Sequence, residues 1–140
     1  MSEKGFAVVA ADDADDSYAD DDSVPGEFRR LTDALGAEQV AITLIRVPPH
    51  SDFEQGTGHT HSETEELYLV TRGSLTMRFD DEVRTVAAGS VARVAPGVVR
   101  SHRNEGDEPV EVWAISRKDG GSDSTKVDDF WEESPQARQR

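Results

Sequence analysis

From Val40 onward the chain is cut into short segments rich in β-branched residues, each bounded by Gly, Pro or Asp: VAITLIRV, EELYLV, SLTMRF, VRTV, SVARV, VVRSH and VEVWAIS. Between them lie PPHSD, TRGS, FDDE, AAGS, APG and NEGDEP, which supply the special dihedrals that tight turns need. Seven strand candidates across residues 40–116 predict an all-β sandwich or barrel, laid out as a meander of hairpins.

The flanks read differently. FAVVA, at residues 6–10, is a candidate short strand. It is followed by DDADDSYADDD, where seven Asp fall between Asp12 and Asp22 and mutual repulsion predicts a solvated, mobile loop. In EFRRLTDALG, Phe28, Leu31 and Leu35 have helical spacing and Gly36 is a plausible stop, although so short a piece also suits a strand. After Ser116 the polar run KDGGSDSTK reads as a linker, and VDDFWEESPQ brings back two large aromatics, Phe130 and Trp131, as a docking tail. The expected layout is an N-terminal extension with an acidic loop over residues 1–39, a barrel over 40–116, and a linker plus tail over 117–140.

At 140 residues the chain has the length of one domain with its own core. A net charge of −14 argues against nucleic acid or an anionic membrane surface as partner, since both reward basic patches. Cysteine is absent, which removes thiol nucleophiles, thiolate metal sites and disulfides. No long apolar run and no leader-like h-region is readable, so a cytoplasmic location is the default expectation.

Chemistry concentrates in GHTHSETEELYLVTRG, residues 58–73. On a strand, His59 and His61 stand on one face with Cα atoms about 6.6 Å apart, so both imidazoles can converge on one point. Glu66 has the right phase to complete a cup from the next strand. Tyr68 and Val70 share its phase and should line the interior, whereas Leu67 and Leu69 face a second layer or a partner chain. Glu63, Glu65 and His50 read as solvated, and Trp113 as core or interface.

Two motifs here resemble those of the cupin superfamily, small double-stranded β-helix (jelly-roll) barrels of the RmlC-like type. The first family motif runs Gly, five residues, His-x-His, three or four residues, Glu, six residues, Gly. His59, His61, Glu66 and Gly73 match it, while its opening Gly would fall on Phe53. The second runs Gly, five residues, Pro-x-Gly, two residues, His, three residues, Asn, and falls on GSVARVAPGVVRSHRN. Gly89, Gly97 and Asn104 match, but Ala95 replaces the first Pro and Arg100 stands where the resemblance implies a metal-binding His. His102 lies two residues, about 6.6 Å, further along the strand, and reads as an interior pocket residue rather than a substitute ligand.

The resemblance implies a divalent metal (Fe, Mn, Ni, Cu or Zn), here with His59, His61 and Glu66 as the remaining donors, a set that elsewhere serves non-haem iron. Arg100 opposes it. A guanidinium cannot ligate, and at about 5 Å from a divalent ion it repels by about 7 kcal/mol at an effective dielectric of about 20, while pairing with Glu66 attracts by about 4. The first expectation is therefore a pocket for a small polar or anionic molecule lined by His59, His61, Glu66, Tyr68, Arg100 and His102, with Arg100 pairing the anion and the metal site degenerate or weak. The competing expectation is a metal-dependent enzyme of dioxygenase or isomerase type that uses His59, His61 and Glu66. Pairing across the outer sheet, as in many members of the superfamily, implies a homodimer.

Overall fold

The protein, as a computed structural model, is described over residues 5–131. After a short 3-10 turn at Ala11–Asp13 come β1 (Glu27–Arg30), α1 (Thr32–Leu35), β2 (Val40–Val47), β3 (Gly58–His61), β4 (Glu66–Arg72) and β5 (Ser74–Phe79). They are followed by β6 (Glu82–Ala87), β7 (Val91–Val94), β8 (Arg100–Arg103), β9 (Val110–Arg117), a second 3-10 turn at Lys118–Asp123, and β10 (Ser124–Val127). Two five-stranded sheets face each other, in the orders β1-β2-β9-β4-β7 and β10-β3-β8-β5-β6, with every pairing antiparallel. This is the double-stranded β-helix that the motif resemblance implied; the strand pattern alone gave the all-β class, and its meander layout is replaced by crossovers between the two sheets.

Period-two alternation sets which side chains meet between the sheets. Val70, Val110 and Val112 of the first sheet and Leu75 and Met77 of the second are fully buried in one cluster. One end of the barrel is filled by this apolar packing, which leaves the other end for the polar inward residues of β3, β4 and β8. The matched motif residues outside the cup are structural. Gly73 turns β4 into β5 with φ of 76°, and a Cβ there would fall 2.5 Å from the Pro109 carbonyl oxygen. The Asn104 side-chain amide lies 2.8–3.1 Å from the carbonyl oxygens of Val47, Pro48 and Glu108, closing the loops at the packed end.

Several flanking expectations need correction. FAVVA forms no strand; Val8 is 92% exposed and has no partner strand to pair with. EFRRLTDALG is a strand and then a single helical turn, because β1 pairs with β2 before the chain turns at Leu31 and stops at Gly36, φ 68°. The acidic segment is tied down at particular residues. Asp12 pairs with Arg46 at 2.6 Å, Asp16 accepts the Phe28 N–H at 2.9 Å, and Arg29 donates to the Ala14 carbonyl at 2.6 Å. Ala14 and Leu31 pack on Leu44, so the extension covers part of the first sheet's outer face.

The polar linker contains β10, which pairs with β3 over four residues. Phe130 and Trp131 dock within the chain. The Arg78 guanidinium lies 3.8 Å from the Phe130 ring centre, the Arg103 guanidinium 4.3 Å from that of Trp131, and the Trp131 indole N–H donates to Ser101 Oγ at 3.0 Å. The rest of the expected tail, residues 132–140, lies outside the described residues.

Candidate functional site

β3 carries His59 and His61 on its inward face, and β4 opens with Glu66 on the facing sheet. Their ligand atoms all lie within 4.8 Å of one another. Glu66 Oε1 is the hub: His59 Nε2 is at 3.8 Å, His61 Nε2 at 3.9 Å, Arg100 Nη2 at 3.4 Å, and the Tyr68 hydroxyl donates to it at 2.5 Å. The cup read from sequence is therefore assembled, and the Arg100–Glu66 pair exists.

Arg100 is 0% exposed, pairs with Glu66 at 3.4 Å and donates from Nη1 to the Val98 carbonyl at 2.9 Å. Its charge is met by Glu66 within the fold, so this geometry lends no direct support to the expected pairing with an anionic ligand. His102 does line the cavity, buried, with Nε2 3.6 Å from Glu54 Oε1, and it stands outside the His59–His61–Glu66 set. Tyr68 is buried on the cavity wall as its phase required. Of the residues read as solvated, Glu65 is exposed and pairs with Arg93, and His50 is exposed but meets Asp107 at 2.6 Å.

The structure adds two carboxylates that no spacing rule pointed to. Glu54 Oε2 is 3.2 Å from His59 Nδ1, and Asp123 Oδ1 is 2.9 Å from His61 Nδ1. Asp123 is itself fixed by the Glu63 N–H at 2.6 Å and the Thr64 hydroxyl at 2.9 Å. Each carboxylate takes the outer nitrogen of one imidazole and turns Nε2 toward Glu66. That arrangement orients metal-ligating histidines and raises their basicity.

Electrostatics follow from this geometry. Burial opposes the charge on His59, but its bonds to Glu54 and Glu66 outweigh that and raise its pKa to about 9. Burial likewise pushes Glu66 up, and His59, Tyr68 and Arg100 together hold it below its ordinary value. Asp123 is driven well below the usual carboxylate range, because the bonds from His61, Glu63 and Thr64 overcome its burial. Burial lowers the His102 pKa and raises that of Tyr68, which keeps both uncharged near neutrality. Three carboxylates against one guanidinium leave the cluster two negative charges when both histidines of the cup are neutral. One divalent cation, or two protons on the histidines, balances it.

Above the cup opens a cavity of about 450 Å³. Its polar floor is His59, His61, Glu66 and His102, and its side wall includes Tyr18, Phe28 and Phe53. Phe28 and Arg30 reach it because β1 pairs with β2 in the register Phe28↔Ile45 and Arg30↔Thr43, the inward phase of that sheet.

The comparisons agree with this architecture. RemF, a polyketide cyclase from Streptomyces resistomycificus, is 15% identical with a TM-score of 0.69 over 94% of this chain and 96% of that one. A cupin protein from Bacteroides fragilis is 22% identical with a TM-score of 0.61 over 84% and 87%. A protein from Acidithiobacillus ferrooxidans is 24% identical with a TM-score of 0.58, and the match covers 66% of this chain but 59% of that longer one. At such identities the likeness shows the fold alone. No curated protein matches the chain by sequence. Residues 43–116 match the cupin domain family, and since that match spans more than half of the sequence and encloses both motifs, the chain belongs to the cupin family.

Proposed function

We propose that the chain holds one divalent metal ion on His59, His61 and Glu66, at the floor of a pocket that takes and turns over a small molecule. The observation that carries this reading is the pair of carboxylates, Glu54 and Asp123, on the outer nitrogens of both imidazoles. Carboxylates in that position fix the tautomer and orientation of metal-ligating histidines. The donor set fits a divalent ion in charge as well, since with both histidines neutral, as ligation requires, the cluster carries two negative charges. A metal bound there would supply a Lewis acid that polarises a ligand oxygen. The chain's own groups do the rest: Glu54 and Asp123 fix the ring orientations, Tyr68 and Arg100 hold Glu66 in place, and the aromatic side chains line the wall above the floor.

Arg100 supports a second reading, in which the protein is a metal-free binder of a polar ligand. Its guanidinium already neutralises part of the charge of Glu66 and opposes a cation nearby, as the sequence suggested. The two readings separate on titration calorimetry of chelator-treated protein with Zn²⁺, Ni²⁺ and Fe²⁺, together with elemental analysis of protein purified without chelator. The metal reading expects one ion per chain at micromolar affinity or better, lost in His59→Ala. An intact fold with no metal uptake would leave the binder.

A further inference from the structure

The pocket wall is more specific than a cup for any small polar molecule would need. Phe28 and Phe53 lie nearly parallel, at 11° and 5.7 Å between ring centres, and His102 continues the row at 18° and 6.3 Å from Phe53. Tyr18 closes the row edge-on, 5.7 Å from Phe28 and 5.8 Å from Phe53. These rings come from four separate segments, including the N-terminal extension and the loop before β3. Phe28 and Phe53 remain partly exposed along the cavity instead of filling it.

The cations of the pocket point the same way. Arg30 and Lys118 line it and are exposed. Arg30 and Lys118 pair with no carboxylate among the described residues, which leaves both charges available to a bound anion. Arg30 lies with its guanidinium 6.0 Å from the centre of the Phe28 ring, which places a positive charge beside the aromatic wall.

We infer that the ligand is a planar aromatic anion, an arene carboxylate in its simplest form, with its ring laid along Phe28 and Phe53 and its charge met by Arg30 and Lys118. Flat rings stack on aromatic faces in offset or edge-on geometry, which a saturated ring of equal size cannot reproduce. Exposed cations at a concave mouth attract an anion and orient it. This inference rests on reading the cavity as the binding site, but not on the metal.

The test uses the full chain at 0.15 M salt, with 2-naphthoate as probe and two matched compounds: 2-naphthalenemethanol, which lacks the charge, and decalin-2-carboxylate, which lacks the flat ring. Calorimetry is run in chelator and again with one equivalent of Zn²⁺. The expected result is that 2-naphthoate binds at least about tenfold more tightly than either matched compound in both conditions. Arg30→Gln with Lys118→Gln should erase the preference over the alcohol and keep that over decalin-2-carboxylate. Phe53→Leu should do the reverse. Equal affinity for naphthoate and the alcohol, or a double variant with wild-type melting temperature and unchanged preference, overturns the inference. Naphthoate binding without any metal uptake would retain it and remove the metal proposal; metal uptake with no naphthoate preference would do the opposite.

Discussion

Glu66 Oε1 receives Tyr68, Arg100 and both imidazoles of the cup, so single substitutions around it have calculable directions. Asp123→Asn keeps shape but cannot hold the His61 N–H as a carboxylate does, and the same applies to Glu54→Gln at His59. Each should weaken Zn²⁺ binding about 10–100-fold, measured by competition with a chromophoric chelator. Unchanged affinity in both would show that the carboxylates do not support ligands. Arg100→Met removes the repulsion while preserving length and should tighten metal binding. In metal-free protein it should cost about 3–5 kcal/mol in denaturant melts, because Glu66 is left buried without its cation. Protonation competes with the metal. With a folded pKa of about 9 for His59 against 6.5 for an ordinary histidine, its charged form stabilises the metal-free fold. That contribution, about 3 kcal/mol, is fully present below pH 6.5 and lost as pH rises through about 9. Metal-free protein should therefore become less stable across that window, while metal affinity should rise over it as the competing proton leaves. A metal-free stability that is flat from pH 6.5 to 9 would contradict the assignment of His59.

Among the elements, β10 and the aromatic pair that follows it matter most for the site. β10 borders β3, the strand that presents both histidines, and Asp123 lies immediately before it. Gly58 opens β3 against the Phe130 ring, where an added Cβ would fall 2.7 Å from a ring carbon and 2.9 Å from the Arg100 carbonyl oxygen. Phe130→Ala should thus cost about 3–5 kcal/mol of stability, and Gly58→Ala should also destabilise by displacing the ring; thermal melts check both. Metal affinity should fall with them, since the docked segment holds β10 beside His61. The sequence made the barrel strands legible because each buries one alternate face and ends at a turn residue. It made the cup legible because strand periodicity puts His59 and His61 on one face and the first motif's spacing marks Glu66 as their partner. β10 was not legible: Ser124, Thr125 and Lys126 are exposed on an edge strand, so no apolar pattern marks them. Glu54 and Asp123 were hidden for a related reason. They sit in turns whose position depends on long-range pairing, and an acidic residue in a turn looks solvated. Strand phase puts Arg100 on the face of the cup but does not tell which groups its long side chain meets, here Glu66 and the Val98 carbonyl.

At the scale of the molecule, no helix among the described residues is long and apolar enough to cross a membrane, and the remaining question is what covers the first sheet's outer face. Its side chains run in rows across the strands: Leu44, Trp113, Leu69 and Val91 in one, Ile42, Ile115, Leu67 and Arg93 in the next. Among the described residues, the N-terminal extension covers the β2 and β9 side, where Ala14 and Leu31 pack on Leu44, with Leu35, Ile42 and Trp113 against them. The rows continue past that cover to Leu67, 36% exposed, and Val91, 57% exposed, at the β7 edge. We propose that a second copy of the chain covers this remainder across a two-fold axis. Both halves of the contact would then be the same apolar patch, and exposed Arg93 with its partner Glu65 would lie beside it. Such closed, isologous pairing also leaves the net charge of −14 to keep dimers apart from one another. Light scattering at micromolar concentration should give twice the chain mass of 15.3 kDa. Leu67→Asp with Val91→Lys should give the single mass with the cup intact, since both side chains point away from it. A wild-type protein that scatters as one chain would mean the exposed rows stay uncovered; a double variant that remains dimeric would move the interface elsewhere.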